Sequence, residues 1–246
     1  MRSPVDSIPA PPFPARLPWV NIASLRMDKQ LGHPVLVEFF DFCRVNSLRT
    51  LPYVRAWHER YGPAGLRVIG VHCPGFEPSR DEDAVRGAVA RLGISHPVLI
   101  DSEFEVWRLY GNEGWPARYL FGPGGMLFHY HYGEGAYAET EEAVQELLGL
   151  SYEPLSPVRP EDQPGVELAA HTAEQPGAWS GAYEAGGVWA VLDGRGTVLA
   201  NGRPAEVQHP GCHALIEHDR HTAGVLELEV SDAVRCHAVC FTAGIA

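Results

Sequence analysis

Hydrophobic positions along this chain change period several times, and the changes divide it. An unbroken apolar run, Val35 to Phe40, stops at Asp41. From about Asn46 to Arg60 the pattern becomes helical, with Leu48, Leu51, Val54 and Trp57 at spacings of three. Pro52 falls inside that helix, where it removes a backbone donor and is expected to kink it. Gly62, Pro63 and Gly65 break the chain. LRVIGVHC (66–73) is then a second continuous apolar run. Asp81 to Leu92 reads as an amphipathic helix, with Val85, Val89 and Leu92 on one stripe and Gly93 as its C-cap. HPVLI (96–100) reads as a short strand and the segment with Phe104, Trp107 and Leu109 as a helix. ARYLF (117–121) and MLFHYHY (126–132), joined by GPGG, form a predicted antiparallel hairpin. A last helix is expected from about Glu139 to Leu148, its first-turn acids matching the helix dipole. Continuous β-branched runs joined by helices predict a parallel sheet covered on both faces.

Either side of this unit the pattern fades. Residues 1–18 are rich in proline and read as an extended arm, with Trp19 and Val20 expected to pack on the neighbouring domain. Residues 150–165 hold four prolines and little periodicity, which predicts a linker between a first domain at 19–149 and a second at 166–246. The second has short runs (GVWAVLDG, GTVLANG, HALIEH, GVLELEV, RCHAVCF) separated by glycine-rich turns. That is the pattern of a small all-β domain, a sandwich or jelly-roll-like fragment. The fold class expected is therefore α/β followed by all-β.

Composition narrows the partners. A 45% apolar and 20% charged chain of 246 residues is that of a globular protein, and no run approaches the roughly 20 apolar residues that span a bilayer. A formal charge of −12 argues against nucleic acid and anionic membranes. The N-terminus lacks the apolar core of a secretory signal, so the cytoplasm is the expected location. There the five cysteines, odd in number and without repeated spacing, are expected to be reduced.

The candidate chemistry sits where the first apolar run ends. A buried strand feeding a helix N-terminus favours an anionic group, and Cys43 stands in that turn beside Arg44; both features favour a thiolate. The alternative is that Cys43 packs as a small hydrophobe. Strands 35–40 and 66–73 should end on one sheet edge, where open α/β sheets bind ligands. Cys43 and Cys73 are therefore weighed as a displaced redox pair, against two thiols too far apart to bridge. Ser47 is expected to cap the helix. In the second domain His209, Cys212, His213, His218, His221, Cys236, His237 and Cys240 are metal-ligand types without metal-ligand spacing. Alternation along 234–241 instead places Cys236 and Cys240 together in a core and His237 in water. His129 and His131 are expected at the surface. No metal or cofactor is therefore expected.

VLVEFF and its following turn, SLRTLPYVRAWHERYG, GLRVIGVHCPGF, LIDSEFEVWRLYGNEGWPARYLF and HYGEGAYAETEEAVQELL together resemble the thioredoxin-like family. The likeness is to its TlpA-like branch, of the type at the C-terminal end of DipZ proteins, and it covers roughly 19–149. The second domain resembles, more faintly, the carbohydrate-binding-type β sandwich at the tail of those proteins. The resemblance implies a mixed sheet flanked by helices, a cis-proline at Pro116 after Trp115 shaping a substrate groove, and a buried acid at Glu38 that either shuttles a proton or, without the dithiol, is a relic satisfied by local hydrogen bonds. It also implies protein or small-molecule thiols and disulfides as partners. The chain departs from the family at its site, because the two positions of the Cys-x-x-Cys pair hold Arg44 and Ser47. Dithiol exchange needs one thiolate to attack and a second thiol to resolve. The threonine and proline that frame a peroxidatic cysteine are missing too. Two functions are expected in consequence: an atypical thiol redox protein working through Cys43, or a binding protein that keeps the groove without redox turnover.

Overall fold

A computed structural model describes residues 7–246; the first six residues of the predicted arm lie outside it. The strands in order are β1 (Trp19–Val20), β2 (Val35–Phe40), β3 (Arg67–His72), β4 (Val98–Ile100), β5 (Ala117–Phe121) and β6 (Leu127–Tyr132). The helices between and after them are α1 (Val45–Tyr61), α2 (Glu82–Arg91), α3 (Glu105–Leu109) and α4 (Tyr137–Leu148). One sheet holds all six strands in the order β1-β4-β3-β2-β5-β6. β2 is central, parallel to β3 and antiparallel to β5, and all six of its residues are buried. This is why it reads as a continuous apolar run rather than an alternating one.

Alternation along the strands sorts their side chains onto two faces. Val37, Phe39, Val71 and Leu99 point to one, against Val106 of α3 and the half-buried Trp107 and Trp115. Leu36, Val68 and Leu120 point to the other, beneath Val54, Trp57 and Tyr61 of α1. α1 runs through Pro52 without a break in its helical assignment. Asp81 caps α2 by accepting the Ala84 N–H at 2.7 Å.

The predicted linker is fastened down. Arg49 of α1 bonds Glu161 at 2.8 Å, and the Tyr53 hydroxyl donates to Asp162 at 2.7 Å. These bonds hold the segment along α1.

The remaining strands are β7 (Leu168–Ala169), β8 (Gln175–Pro176), β9 (Gly181–Gly194), β10 (Gly196–Ala200), β11 (Arg203–Val207), β12 (Gly211–Leu226), β13 (Leu228–Val230), β14 (Val234–Thr242) and β15 (Gly244–Ile245). They build a four-stranded sheet, β12-β9-β14-β8, a three-stranded sheet, β11-β10-β13, and a small β15-β7 pair. Leu192, Val198, Val207 and Val234 pack between the two larger sheets. The outer face of the four-stranded sheet is not free. Its Val191, Cys212, Ala238 and Cys240 join Phe40, Phe42, Cys43, Val85 and Ile100 of the first domain in one core. A sheet buried on both faces explains the continuous VWAVL run of β9.

Here one expectation fails. Cys236 and Cys240 do not share a face, because a bulge in β14 shifts register between Cys236, opposite Leu192, and Ala238, opposite Val191. The extra residue turns Cys236 into the β domain's own core and leaves Cys240 at the domain interface. Among the described residues no helix is long and apolar enough to cross a membrane.

Candidate functional site

The turn after β2 is built around a buried carboxylate. Asp41 is fully buried; its Oδ1 accepts the Cys43 N–H at 2.9 Å and its Oδ2 the Gly75 N–H at 2.8 Å. His72 Nε2, also buried, lies 3.4 Å from Oδ1, and its ring stacks on Phe42 at 5.3 Å. Asp41 thus ties the end of β2 to the loop after β3. A matching acid, Asp101, closes β4 by accepting the N–H groups of Glu105 at 2.7 Å and Trp107 at 2.9 Å. Neither acid was singled out from the sequence. The signal was present, since each ends an apolar strand on the same sheet edge.

Ser47 does not cap α1. The N-cap is Arg44, without a side-chain cap, and Ser47 is the third helical residue. Its Oγ instead accepts the Asp41 N–H from 3.3 Å. The helix simply begins earlier than its apolar stripe.

The expected thiolate is not favoured by this geometry. Cys43 is fully buried, and its thiol is pushed far up, first by burial and then by the neighbouring Asp41 charge. Arg44 and the helix terminus do not offset that. Cys73 is equally buried, donates to Asp101 Oδ2 at 3.5 Å and is likewise raised, chiefly by burial. The two thiols belong to separate cores, Cys73 with Val37 and Val71, Cys43 with Phe40 and the β domain. The shared sheet edge does not bring the two thiols into one core, and both cysteines are free.

Glu38 is fully buried, opposite Arg118 in the β2–β5 register. Neither carboxylate oxygen has a hydrogen-bond partner, and burial pushes the group up to about 8 against the pull of Arg118. Arg118, itself buried, lies over the rings of Trp57 at 5.6 Å and Tyr137 at 5.2 Å and donates to the Gly135 carbonyl. An arginine facing that acid was not foreseen.

Arg44 stands at the N-cap of α1. Its guanidinium lies 4.4 Å from the Phe76 ring centroid and 5.1 Å from that of Trp115, and Nη1 bonds Glu174 of the β domain at 2.9 Å. Gly75 makes room for it: a Cβ there would fall 2.7 Å from Arg44 Nε and 2.9 Å from Asp41 Oδ2. The Trp115 indole donates to the Cys73 carbonyl at 3.0 Å, and its ring leans on Trp107 at 4.5 Å. The Trp115–Pro116 peptide bond is cis, and Pro116 is buried. Between the domains remains a cleft of about 200 Å³, bordered by Arg44, Asn46, Trp115, His171, Glu174 and Phe241.

The second domain's metal-ligand types are dispersed. His218 pairs with the Tyr183 hydroxyl at 2.9 Å, and His209 stacks on His213 at 4.8 Å. Among the described residues no three potential ligands converge. His129 is buried rather than displayed, and His131 bonds the Glu134 carbonyl at 3.1 Å.

No protein-family model matches the chain. Protein DipZ of Mycobacterium tuberculosis is 32% identical over 191 residues, 74% of this chain and 27% of that protein. The thiol-disulfide oxidoreductase YkuV of Bacillus subtilis is 26% identical over 141 residues, 57% of this chain and 94% of that protein. Together with the mixed sheet and its site turn, these likenesses decide the family. The chain belongs to the thioredoxin-like, TlpA-type family. A solved thiol-disulfide isomerase from Corynebacterium glutamicum shares the fold at a TM-score of 0.51 and 22% identity, covering 58% of this chain and 98% of its own. The TlpA-type likeness to DipZ is longer than the first domain, so it extends into the region after residue 149. The chain spans about a quarter of DipZ's length.

Proposed function

We propose that this TlpA-type protein works by recognition at the interdomain cleft and not by dithiol exchange. The observation that carries it is the seat of Arg44, stacked against Phe76 and Trp115 and engaged by a carboxylate where the family's chemistry needs a thiolate. A guanidinium held against aromatic faces is a receptor for carboxylates, because its fixed fork of donors matches their geometry. Glu174 fills that role from within the chain. The partners proposed are polypeptides of the thiol- and disulfide-bearing class that relatives named oxidoreductases handle, with an acidic group placed for Arg44. Five free cysteines suit a reducing compartment, and the cytoplasm is the location we propose.

One observation favours the second reading, single-thiol chemistry at Cys43. Part of that thiol's cover comes from the β domain, through Val191, Cys212, Ala238 and Cys240. Displacement of that domain would uncover it. Insulin reduction by dithiothreitol separates the two readings. Recognition without exchange predicts the uncatalysed rate for the wild type. Acceleration that disappears in Cys43→Ser would overturn that and establish the thiol reading.

A further inference from the structure

At the opposite, amino edge of the sheet lies a second and larger cleft, of about 860 Å³, between the end of α1, the start of β3 and the segment before β4. Its volume is that of a small-molecule site. Leu25, Leu66 and Val68 give it an apolar floor, and Arg26, Lys29 and Arg67 stand around it with one carboxylate, Glu59. Three cations around one cleft run against the trend of a chain with a formal charge of −12. Arg26 is already paired with Asp28, at 2.6 and 2.9 Å. Lys29 also feels the Asp28 charge without an ion pair to it, and Arg67 has no carboxylate ion-pair partner among the described residues.

A separate observation concerns the histidines. His58, from the last turn of α1, lines the cleft, and its buried Nδ1 has no hydrogen-bond partner. Behind it His96, fully buried, packs edge-on with ring centroids 5.6 Å apart, both its ring nitrogens unpartnered. Burial keeps both rings neutral: His58 is lowered, and His96 falls to about 3. Buried polar atoms without partners are costly, so they are uncommon where no ligand or water completes them.

We infer that this cleft binds a small organic anion, an apolar body carrying a carboxylate, sulfonate or phosphate head held by Lys29 and Arg67. The body rests on the apolar floor beside His58. The site is independent of the Arg44 cleft, which lies at the other edge of the same sheet. It therefore stands whether or not recognition at Arg44 does.

The test titrates the full chain with 1-anilinonaphthalene-8-sulfonate and, in parallel, with its uncharged counterpart N-phenyl-1-naphthylamine. Saturable binding is expected for the sulfonate, at least tenfold tighter than for the neutral dye and weakened by salt. Lys29→Glu combined with Arg67→Glu should weaken it at least tenfold while the thermal midpoint stays put, since both side chains are exposed. Amide resonances should move around residues 58–69 and 95–97. Equal affinity for both dyes, an unchanged affinity in the double variant, absence of saturable binding, or resonance shifts centred on Arg44 and Trp115 would each overturn the assignment.

Discussion

Replacing Glu38 by glutamine should change how stability depends on pH, with the variant gaining on the wild type as pH rises. In the native chain burial raises this carboxyl from 4.5 to about 8, with Arg118 pulling the other way. Between those values the folded protein keeps a proton that the unfolded chain has released. The unfolded state then binds fewer protons, so stability falls as pH rises. For one group the slope is about 1.4 kcal/mol per pH unit, and across the window it amounts to on the order of 5 kcal/mol. The contribution is complete below the unfolded value and gone above the folded one. Glutamine keeps the shape and neutrality of the protonated acid and removes the titration. Urea unfolding of wild type and Glu38→Gln at pH 5, 6, 7, 8 and 9 isolates it, because all other groups cancel in the difference. The variant should gain on the wild type by about 1.4 kcal/mol for each pH unit, and the gap should stop widening above pH 8. Parallel stability curves would contradict this, since they would mean that Glu38 is ionised beside Arg118 throughout.

Two further outcomes are expected at the site. Ellman's reagent at neutral pH should label neither Cys43 nor Cys73 rapidly in the native protein, these two reacting only in denaturant; fast stoichiometric labelling of Cys43 would be incompatible with its burial. Gly75→Ala should destabilise by about 1–3 kcal/mol, because the new methyl meets both Arg44 Nε and Asp41 Oδ2, and a thermal midpoint equal to the wild type's would show that the loop yields freely.

Much of the first domain was legible along the chain because burial and periodicity are local signals. β2, β3 and β5 stand where the apolar runs predicted them, and the helical stripe of Leu51, Val54 and Trp57 became the buried face of α1. Arg44 and Ser47 were recognisable as site candidates from their places just after β2. What those residues touch was not. Glu174 is 130 residues from Arg44, and nothing in the intervening composition announces that the segment entering β8 returns to the site. Asp41 likewise reads as an ordinary end of strand until two backbone amides from different segments converge on it.

Local pattern was enough to mark most strands and helices of the first domain and to show that a strand-rich region follows it. Which faces meet was settled by the three-dimensional packing alone. A one-residue bulge opposite Val191 and Leu192 sends Cys236 and Cys240 into different cores, and the packing of the first domain's sheet leaves Cys43 and Cys73 in separate cores. The difference is one of range. Periodicity states which positions are buried, whereas the partner of a buried group depends on register and on sheet closure between residues far apart in the chain.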